Sequence, residues 1–213
     1  MTPHIFNPSA FIRIPAEHHP QRICLTYNGQ DFTYREINQR SNRLAHALHA
    51  LGLGVGSRVA TLQYNCNQSF ELIVATWKAG AIMVPLNTRD SAKQNIAVIN
   101  DSGATALVFG CEFSDQAREI KRRLPRVTTF ICHAEEKPTE ADWLDYETLL
   151  AEAPENEPDI DIAEDALCRI SYTSGTTGTP RGVMMTYRNR MAQISNVFMN
   201  ADRLISKEDV FLH

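Results

Sequence analysis

The stretch Tyr-Thr-Ser-Gly-Thr-Thr-Gly-Thr-Pro-Arg-Gly-Val at residues 172–183 decides the fold that we predict for this 213-residue chain. It holds three glycines and five serine or threonine hydroxyls between two apolar, strand-like segments. Glycine lets the backbone approach an anion with its N–H groups pointing inward, and the hydroxyls add donors that rotate to fit. Because Arg181 adds positive charge, the stretch predicts a loop that binds polyphosphate.

Three familiar loop types do not fit this stretch. The phosphate loop of kinases and GTPases needs a second glycine, followed by lysine, five positions after the first, but Pro180 stands five positions after Gly175. A dinucleotide-binding loop opens a helix, whereas the segment 182–186 that follows here has the pattern of a second strand. An ordinary hairpin has little use for so many hydroxyls followed by Pro-Arg-Gly. We therefore predict a strand-loop-strand element.

Three motifs resemble those of the adenylate-forming enzymes, which include acyl- and aryl-CoA synthetases, peptide-synthetase adenylation domains and luciferases. The loop at 172–183 resembles the family's signature loop and is the most specific of the three. Trp-Lys-Ala-Gly-Ala-Ile-Met-Val-Pro-Leu-Asn at 77–87 resembles the second motif, and Phe-Thr-Tyr-Arg-Glu-Ile at 32–37 resembles the start of the first helix. Two positions depart from the family pattern: Arg181 replaces the usual lysine, and Tyr187 stands where many members have histidine.

The resemblance implies the chemistry of the complete enzymes. They join a carboxylate to ATP with release of pyrophosphate, and a thiol such as coenzyme A then attacks the acyl-adenylate. The residues implied to wrap the β- and γ-phosphates are Thr173, Ser174, Gly175, Thr176, Thr177, Gly178 and Thr179, with Arg181 as the cation. We favour coenzyme A over the pantetheine of a carrier protein because residues 79–87 are more similar to the acyl-CoA branch.

The resemblance also implies what this sequence lacks. The family's segments for adenine, ribose, Mg²⁺ and the C-terminal lysine have no counterpart here, so ATP and Mg²⁺ chemistry belongs to the complete enzyme. We expect residues 1–213 to form the N-terminal part of the large AMP-binding domain, without the small C-terminal domain and without a catalytic or metal-binding residue. The sequence stops within a predicted strand at 209–213, as a fragment would. Catalysis by this chain alone is therefore not expected.

Two other classes of function stay open. The chain could bind nucleotide or phosphate without any chemistry of its own. It could also be an interaction module that completes its fold with a second polypeptide, or self-associates through apolar surface left by missing strands.

Strand and helix signals alternate along the chain, which predicts an α/β fold with a layered, parallel-type sheet flanked by helices. Thr33 and Glu36 form a capping box for one helix. Local patterns further predict a short helix that ends near Phe11, a helix capped by Asn67 and a helix at about 143–150. The consecutive methionines at 184–185 are predicted to lie in the core of a strand.

The composition excludes several classes of protein. The chain is 43% apolar and 22% charged, as is usual for soluble globular proteins, and no apolar run reaches the roughly 18 residues that span a bilayer. The N-terminus lacks the apolar segment of a secretory signal. Five scattered cysteines without a Cys-x-x-Cys pair argue against a disulfide framework and a zinc site, and favour the cytoplasm.

The charged residues are unevenly distributed. Residues 135–165 carry 13 of the 25 carboxylates and one lysine, which predicts an acidic surface excursion at about 134–165. The densest basic cluster lies at 118–126, and we interpret it as the solvated face of an amphipathic helix. Nucleic-acid binding is not expected, because no aromatic platform or known module accompanies this charge.

For four further polar residues we expect a structural role and not a chemical one. Tyr34 opens a predicted helix, and Lys78 ends another, where a cation interacts favourably with the helix dipole. His46 and His49 lie three positions apart on a helix, but the sequence places no acidic or cysteine partner beside them for a metal.

Overall fold

The computed structural model describes residues 7–134, 138, 140–173 and 181–201, and for 198–201 it describes the backbone alone. Residues 174–180 and the strand predicted at 209–213 lie outside the described residues. The elements are α1 (Ala10–His18), β1 (Ile23–Tyr27), β2 (Gln30–Thr33), α2 (Tyr34–Ala50), β3 (Arg58–Leu62), α3 (Asn67–Ala79), β4 (Ile82–Pro85), α4 (Ala92–Ser102), β5 (Ala106–Gly110), a 3₁₀ turn (Cys111–Phe113), α5 (Ser114–Arg123), β6 (Thr129–His133), β7 (Leu144–Asp145), α6 (Tyr146–Glu152), β8 (Leu167–Thr173), β9 (Arg181–Thr186) and α7 (Tyr187–Ala201).

The described residues form a seven-stranded sheet in the order β7-β6-β5-β3-β4-β8-β9. Neighbouring strands are parallel throughout, except that β9 runs antiparallel to β8. A separate antiparallel hairpin joins β1 to β2. This arrangement confirms the predicted α/β fold with a layered, mostly parallel sheet.

Helices cover both faces of the sheet, and alternating strand residues separate the two cores. On one face, Leu62 and Phe109 pack with α4 and α5. On the other face, Val59 and Val108 pack with α2, α3 and α6. Because the central strands β3, β4 and β5 are buried on both sides, their apolar residues run nearly continuously in the sequence.

Local capping chemistry sets several helix boundaries. The Thr33 hydroxyl accepts from the Glu36 backbone N–H at 3.2 Å, and the Glu36 carboxylate accepts from the Thr33 N–H at 2.7 Å, which confirms the capping box. Gly80 ends α3 with φ of 74°, a conformation that glycine adopts without strain. The helix predicted at 143–150 instead starts at Tyr146, because Asp145 caps it by accepting from the Thr148 N–H at 2.8 Å.

Two other predicted helix ends are wrong. α1 does not stop near Phe11 but continues to His18, since Ile12 packs with Phe32 and Ile37 in a third cluster and stabilises the longer helix. Asn67 does not cap α3: it is the first helical residue, and its amide donates to Glu71 at 3.0 Å. The cap is Cys66, whose N–H donates to the Ser69 hydroxyl at 3.1 Å.

The acidic excursion makes specific contacts with the fold. Glu157 accepts from Lys78 Nζ at 2.6 Å and from the Asn38 amide at 2.6 Å, and Asn38 Oδ1 accepts from Lys78 at 2.9 Å. Arg43 pairs with Glu155 at 2.9 Å. The segment that leads from α6 to β8 is thereby fixed to α2 and α3. Lys78 is structural, as predicted, but its partner is a distant carboxylate rather than a helix end.

A second carboxylate, Glu71, is fully buried between α2, α3 and α6. It accepts from Arg40 Nε at 2.8 Å and from the Tyr146 hydroxyl at 2.8 Å. Arg40 also forms a bidentate pair with Glu147 at 2.7 and 3.0 Å. A buried carboxylate is stable only when its oxygens are bonded in this way, so these contacts fix the position of α6.

Within the described part of the chain, none of the helices is both long enough and apolar enough to cross a membrane.

Candidate phosphate-binding site

The predicted loop lies at the end of a hairpin formed by β8 and β9. The two strands pair antiparallel from Leu167 opposite Thr186 to Thr173 opposite Arg181, which confirms the strand-loop-strand element. Because β8 also runs parallel to β4, Thr173 lies at the carboxyl edge of the parallel strands. Ligands of open α/β sheets bind at this edge.

The described ends of the loop bring two of the predicted site residues together. Thr173 and Arg181 are directly opposite each other in the ladder, and both are exposed. Residues opposite each other in an antiparallel pair project to the same face, so the side chains of Thr173 and Arg181 leave the hairpin on the same side. Ser174, Gly175, Thr176, Thr177, Gly178 and Thr179 lie outside the described residues, and their roles stay predictions.

Close contacts around Tyr172 hold the loop end of the hairpin. Tyr172 donates its hydroxyl to Asp101 Oδ2 on α4 at 2.6 Å, and burial together with this carboxylate raises the pKa of Tyr172. Gly182 lies opposite Tyr172, and a Cβ at Gly182 would lie 2.9 Å from the Ile170 side chain and 3.0 Å from the Tyr172 ring. The glycine is therefore required by close packing across the hairpin.

The other end of the hairpin is fixed where β9 enters α7. The Thr186 hydroxyl accepts from the Asn189 N–H at 3.1 Å and so caps α7. Tyr187, 2% exposed, donates its hydroxyl to the Trp77 carbonyl at 3.0 Å, and burial raises its pKa. Tyr187, one of the two residues that depart from the family pattern, thus joins the end of the hairpin to α3.

The prediction that Met184 lies in the strand core is wrong. Met184 is 65% exposed and its neighbour Val183 is 55% exposed. β9 is the last strand in the sheet order, so the described residues provide no further strand beside it. Sequence alternation cannot distinguish a covered strand from one at the end of a sheet.

One cationic residue on the strand that leads to the loop was missed by the sequence analysis. Arg169 lies on the same face of β8 as Ser171 and Thr173, and its Nε donates to the Ser171 hydroxyl at 2.8 Å. Burial and the nearby Arg190 lower the pKa of Arg169. Period-two alternation backwards from Thr173 could have found it, and it adds positive charge to the face that leads to the loop.

The two histidines on α2 have different surroundings. His46 Nε2 lies 3.0 Å from the Asn156 carbonyl oxygen, and His49 is exposed. Among the residues that the structure describes, no three His, Cys, Asp or Glu side chains are placed to hold a metal.

Comparison with known proteins identifies relatives along most of the chain. The family described as AMP-binding enzyme matches residues 12–213. The chain is 34% identical to a long-chain-fatty-acid–CoA ligase of Thermus thermophilus over 84% of its own length and 32% of the relative. It is 33% identical to a feruloyl-CoA synthase of an Amycolatopsis species over 86% of its length and 34% of the relative. The chain thus spans about a third of these relatives.

Solved structures have the same fold. A putative long-chain-fatty-acid CoA ligase from Rhodopseudomonas palustris superimposes with a TM-score of 0.80 at 27% identity, covering 92% of this chain and 48% of that one. An anthranilate CoA ligase crystallised with anthranoyl-AMP superimposes with a TM-score of 0.83 at 23% identity, over 90% of this chain and 37% of that one.

Proposed function

This chain belongs to the AMP-binding enzyme family, and we propose that it supplies the ATP phosphate-binding part of an acid–thiol ligase. In the complete enzyme, a carboxylate would attack the α-phosphorus of ATP, pyrophosphate would leave, and coenzyme A would take the acyl group from the adenylate. Mg²⁺ would accompany ATP. The relatives named above are acyl- and aryl-CoA ligases, which supports an adenylate-forming reaction.

The observation that supports this proposal best is the pairing of Thr173 with Arg181 at the end of the β8–β9 hairpin. Negative charge builds up on the departing phosphates, so fixed donors and a cation around them lower the barrier. A hydroxyl and a guanidinium on the same side of the hairpin, at the carboxyl edge of a sheet, suit that role. Arg169 on the same face adds to the positive potential.

Two further parts of the proposal concern the thiol acceptor and the location. We propose coenzyme A as acceptor, with the pantetheine of a carrier protein as the alternative. We also propose a cytoplasmic location, since all five cysteines are free thiols in the structure, as a reducing compartment would keep them.

Binding and catalysis by the 213-residue chain can be measured separately. We expect calorimetric titration to detect binding of ATP and of pyrophosphate to this chain. We expect no exchange of labelled pyrophosphate into ATP with any of a panel of carboxylic acids. The physical reason is that the groups for ribose, metal and the carboxylate must act together at the transition state. Robust exchange would refute the proposed inactivity, and absence of any ATP binding would refute the phosphate site.

A second candidate function is that of an interaction module, which is favoured by the exposed apolar side chains of Val183 and Met184 on β9. An edge strand with exposed apolar residues can pair with another chain. We expect a second copy of this chain to occupy it, so light scattering should show a concentration-dependent dimer. Met184→Lys should shift the equilibrium to monomer, whereas Val55→Lys, at a residue that is 56% exposed elsewhere, should not. A monomer at all concentrations would contradict this function.

A further inference from the structure

A second crevice opens at the carboxyl edge of the sheet, between β3 and β5. These strands are neighbours, but the helices that follow them pack on opposite faces: α3 through Leu72 and Ala75, and α5 through Ala117 and Ile120. Such a reversal leaves a gap between the two connections, and in open α/β sheets this is where ligands bind. β8 lies two strands away from β3, so the crevice is separate from the proposed phosphate site.

The crevice has the size and lining of a small-molecule site. Its volume is about 740 Å³, within the range of roughly 300–1,000 Å³ that small ligands occupy. Tyr64 contributes to it from the segment after β3, Glu112 from the segment after β5, and His133 from the end of β6. Trp143, just before β7, completes the wall. The wall therefore combines aromatic rings with hydrogen-bonding groups.

Two residues that line the crevice each carry a buried side-chain nitrogen without a partner among the described residues. These atoms are Nε1 of Trp143, a residue that is only 6% exposed, and Nε2 of His133. A buried indole N–H without an acceptor costs free energy, so a bound molecule with an acceptor would recover it. Burial lowers the pKa of His133, which keeps its ring neutral at neutral pH.

The charge of the described lining residues disfavours anions. Glu112 and Glu140 line it, whereas no lysine or arginine is among its described lining residues. Glu140 is already paired with Arg118 Nε at 2.5 Å. Glu112 has no ion pair or hydrogen bond within the described residues, so its carboxylate is available to accept from a ligand.

We propose that this crevice binds an uncharged heteroaromatic amine. Its amino group would donate to the Glu112 carboxylate, and an unprotonated ring nitrogen would accept from Trp143 Nε1. The flat ring suits a wall that contains Tyr64 and Trp143, since aromatic pairs add to the burial of apolar area. A carboxylate or phosphate ligand would be repelled by Glu112.

The test uses the whole chain and three probes of similar size: 2-aminopyrimidine, pyrimidine without the amino group, and anionic pyrimidine-2-carboxylate. Saturation-transfer NMR should detect the first, detect the second more weakly and fail to detect the third. In the amide spectrum, the indole N–H signal of Trp143, assigned with Trp77→Phe, should shift on binding of 2-aminopyrimidine, and that of Trp77 should not. Binding of the anionic probe, or an unchanged Trp143 signal, would overturn the proposal.

Two variants test the role of Glu112. Glu112→Gln should weaken binding of 2-aminopyrimidine about tenfold, because a charge-assisted hydrogen bond is lost. The control Glu119→Gln, on α5 but outside the crevice lining, should leave the affinity unchanged. Gly110→Ala should also weaken binding, because its Cβ would crowd the Glu112 carboxylate. If Glu112→Gln and Gly110→Ala both bind 2-aminopyrimidine as tightly as the wild type, Glu112 is not the acceptor. Since no nucleotide is present, the result does not depend on the phosphate site.

Discussion

Glu157→Ala is expected to lower the free energy of unfolding by about 2 kcal/mol, measured by urea denaturation. The variant leaves the ammonium group of Lys78 without its carboxylate, while the Lys78 side chain is only 2% exposed. Removing one partner of a fully buried pair costs roughly 3–5 kcal/mol, but Glu157 is 38% exposed and water can enter the vacated position. Asn38 would still accept from Lys78, which limits the loss further.

Glu155→Ala is the matched control. Glu155 lies two positions earlier in the same segment and pairs with Arg43, but the two side chains are 54% and 31% exposed. Exposed ion pairs contribute little, so this variant should lose less than about 1 kcal/mol. An equal loss in both variants would show that the segment is stabilised by its overall charge and that the Lys78 contact is not special.

The effect of Glu157 should depend on pH. Burial raises the pKa of Glu157, but Lys78 and the amides of Asn38 and Asn42 together lower it by more. The folded-state pKa therefore lies below the ordinary value of 4.5. A depressed pKa contributes stability that is present above the unfolded-state value and is lost as the pH falls through the folded-state value. The difference in stability between the wild type and Glu157→Ala should therefore be full at pH 7 and shrink as the pH falls below the ordinary value of 4.5.

Local signals in the sequence were sufficient for the alternation of strands and helices, but they did not predict the short strands β2 and β7. The capping box of Thr33 and Glu36, and glycine at 80, involve residues only a few positions apart. The cap of α3 was harder, because Asn67 is a favourable cap residue by type, yet its amide is used by the buried Glu71. Tertiary contacts decide such cases, and they are not encoded within one turn of helix.

Long-range pairing could not be predicted from one sequence. The acidic segment has the composition of solvated surface, but its Glu157 forms an ion pair with Lys78, which lies 79 residues earlier in the chain. The crevice is assembled in the same way, from Tyr64, Glu112 and His133 at the carboxyl ends of three different strands. These residues carry no motif, and only the strand order brings them together. The β8–β9 hairpin could be predicted because its residues are close together in the chain. The phosphate-binding role of its loop stays a proposal.

Arg181→Met is expected to weaken pyrophosphate and ATP binding by about tenfold or more, measured by calorimetric titration. The guanidinium is the charged group at the mouth of the loop, opposite Thr173, and hydrogen bonds to charged groups are worth roughly 1.5–3 kcal/mol. Arg181→Lys should retain most of the affinity, because a compact ammonium still contacts phosphate. Circular dichroism should show unchanged folding, since Arg181 is exposed.

Arg188→Met is the control that distinguishes a direct contact of Arg181 with phosphate from general charge attraction. Arg188 lies seven positions later, on α7, and pairs with Glu164 at 3.3 Å, so the variant makes the same change in net charge away from the loop. Binding should stay within about twofold of the wild type, and its dependence on salt should stay steeper than that of Arg181→Met. If both variants weaken binding equally, the phosphates are attracted by the overall field of the chain. If Arg181→Met has no effect, Arg181 is not the cation that contacts the phosphates, and Arg169 is the first alternative.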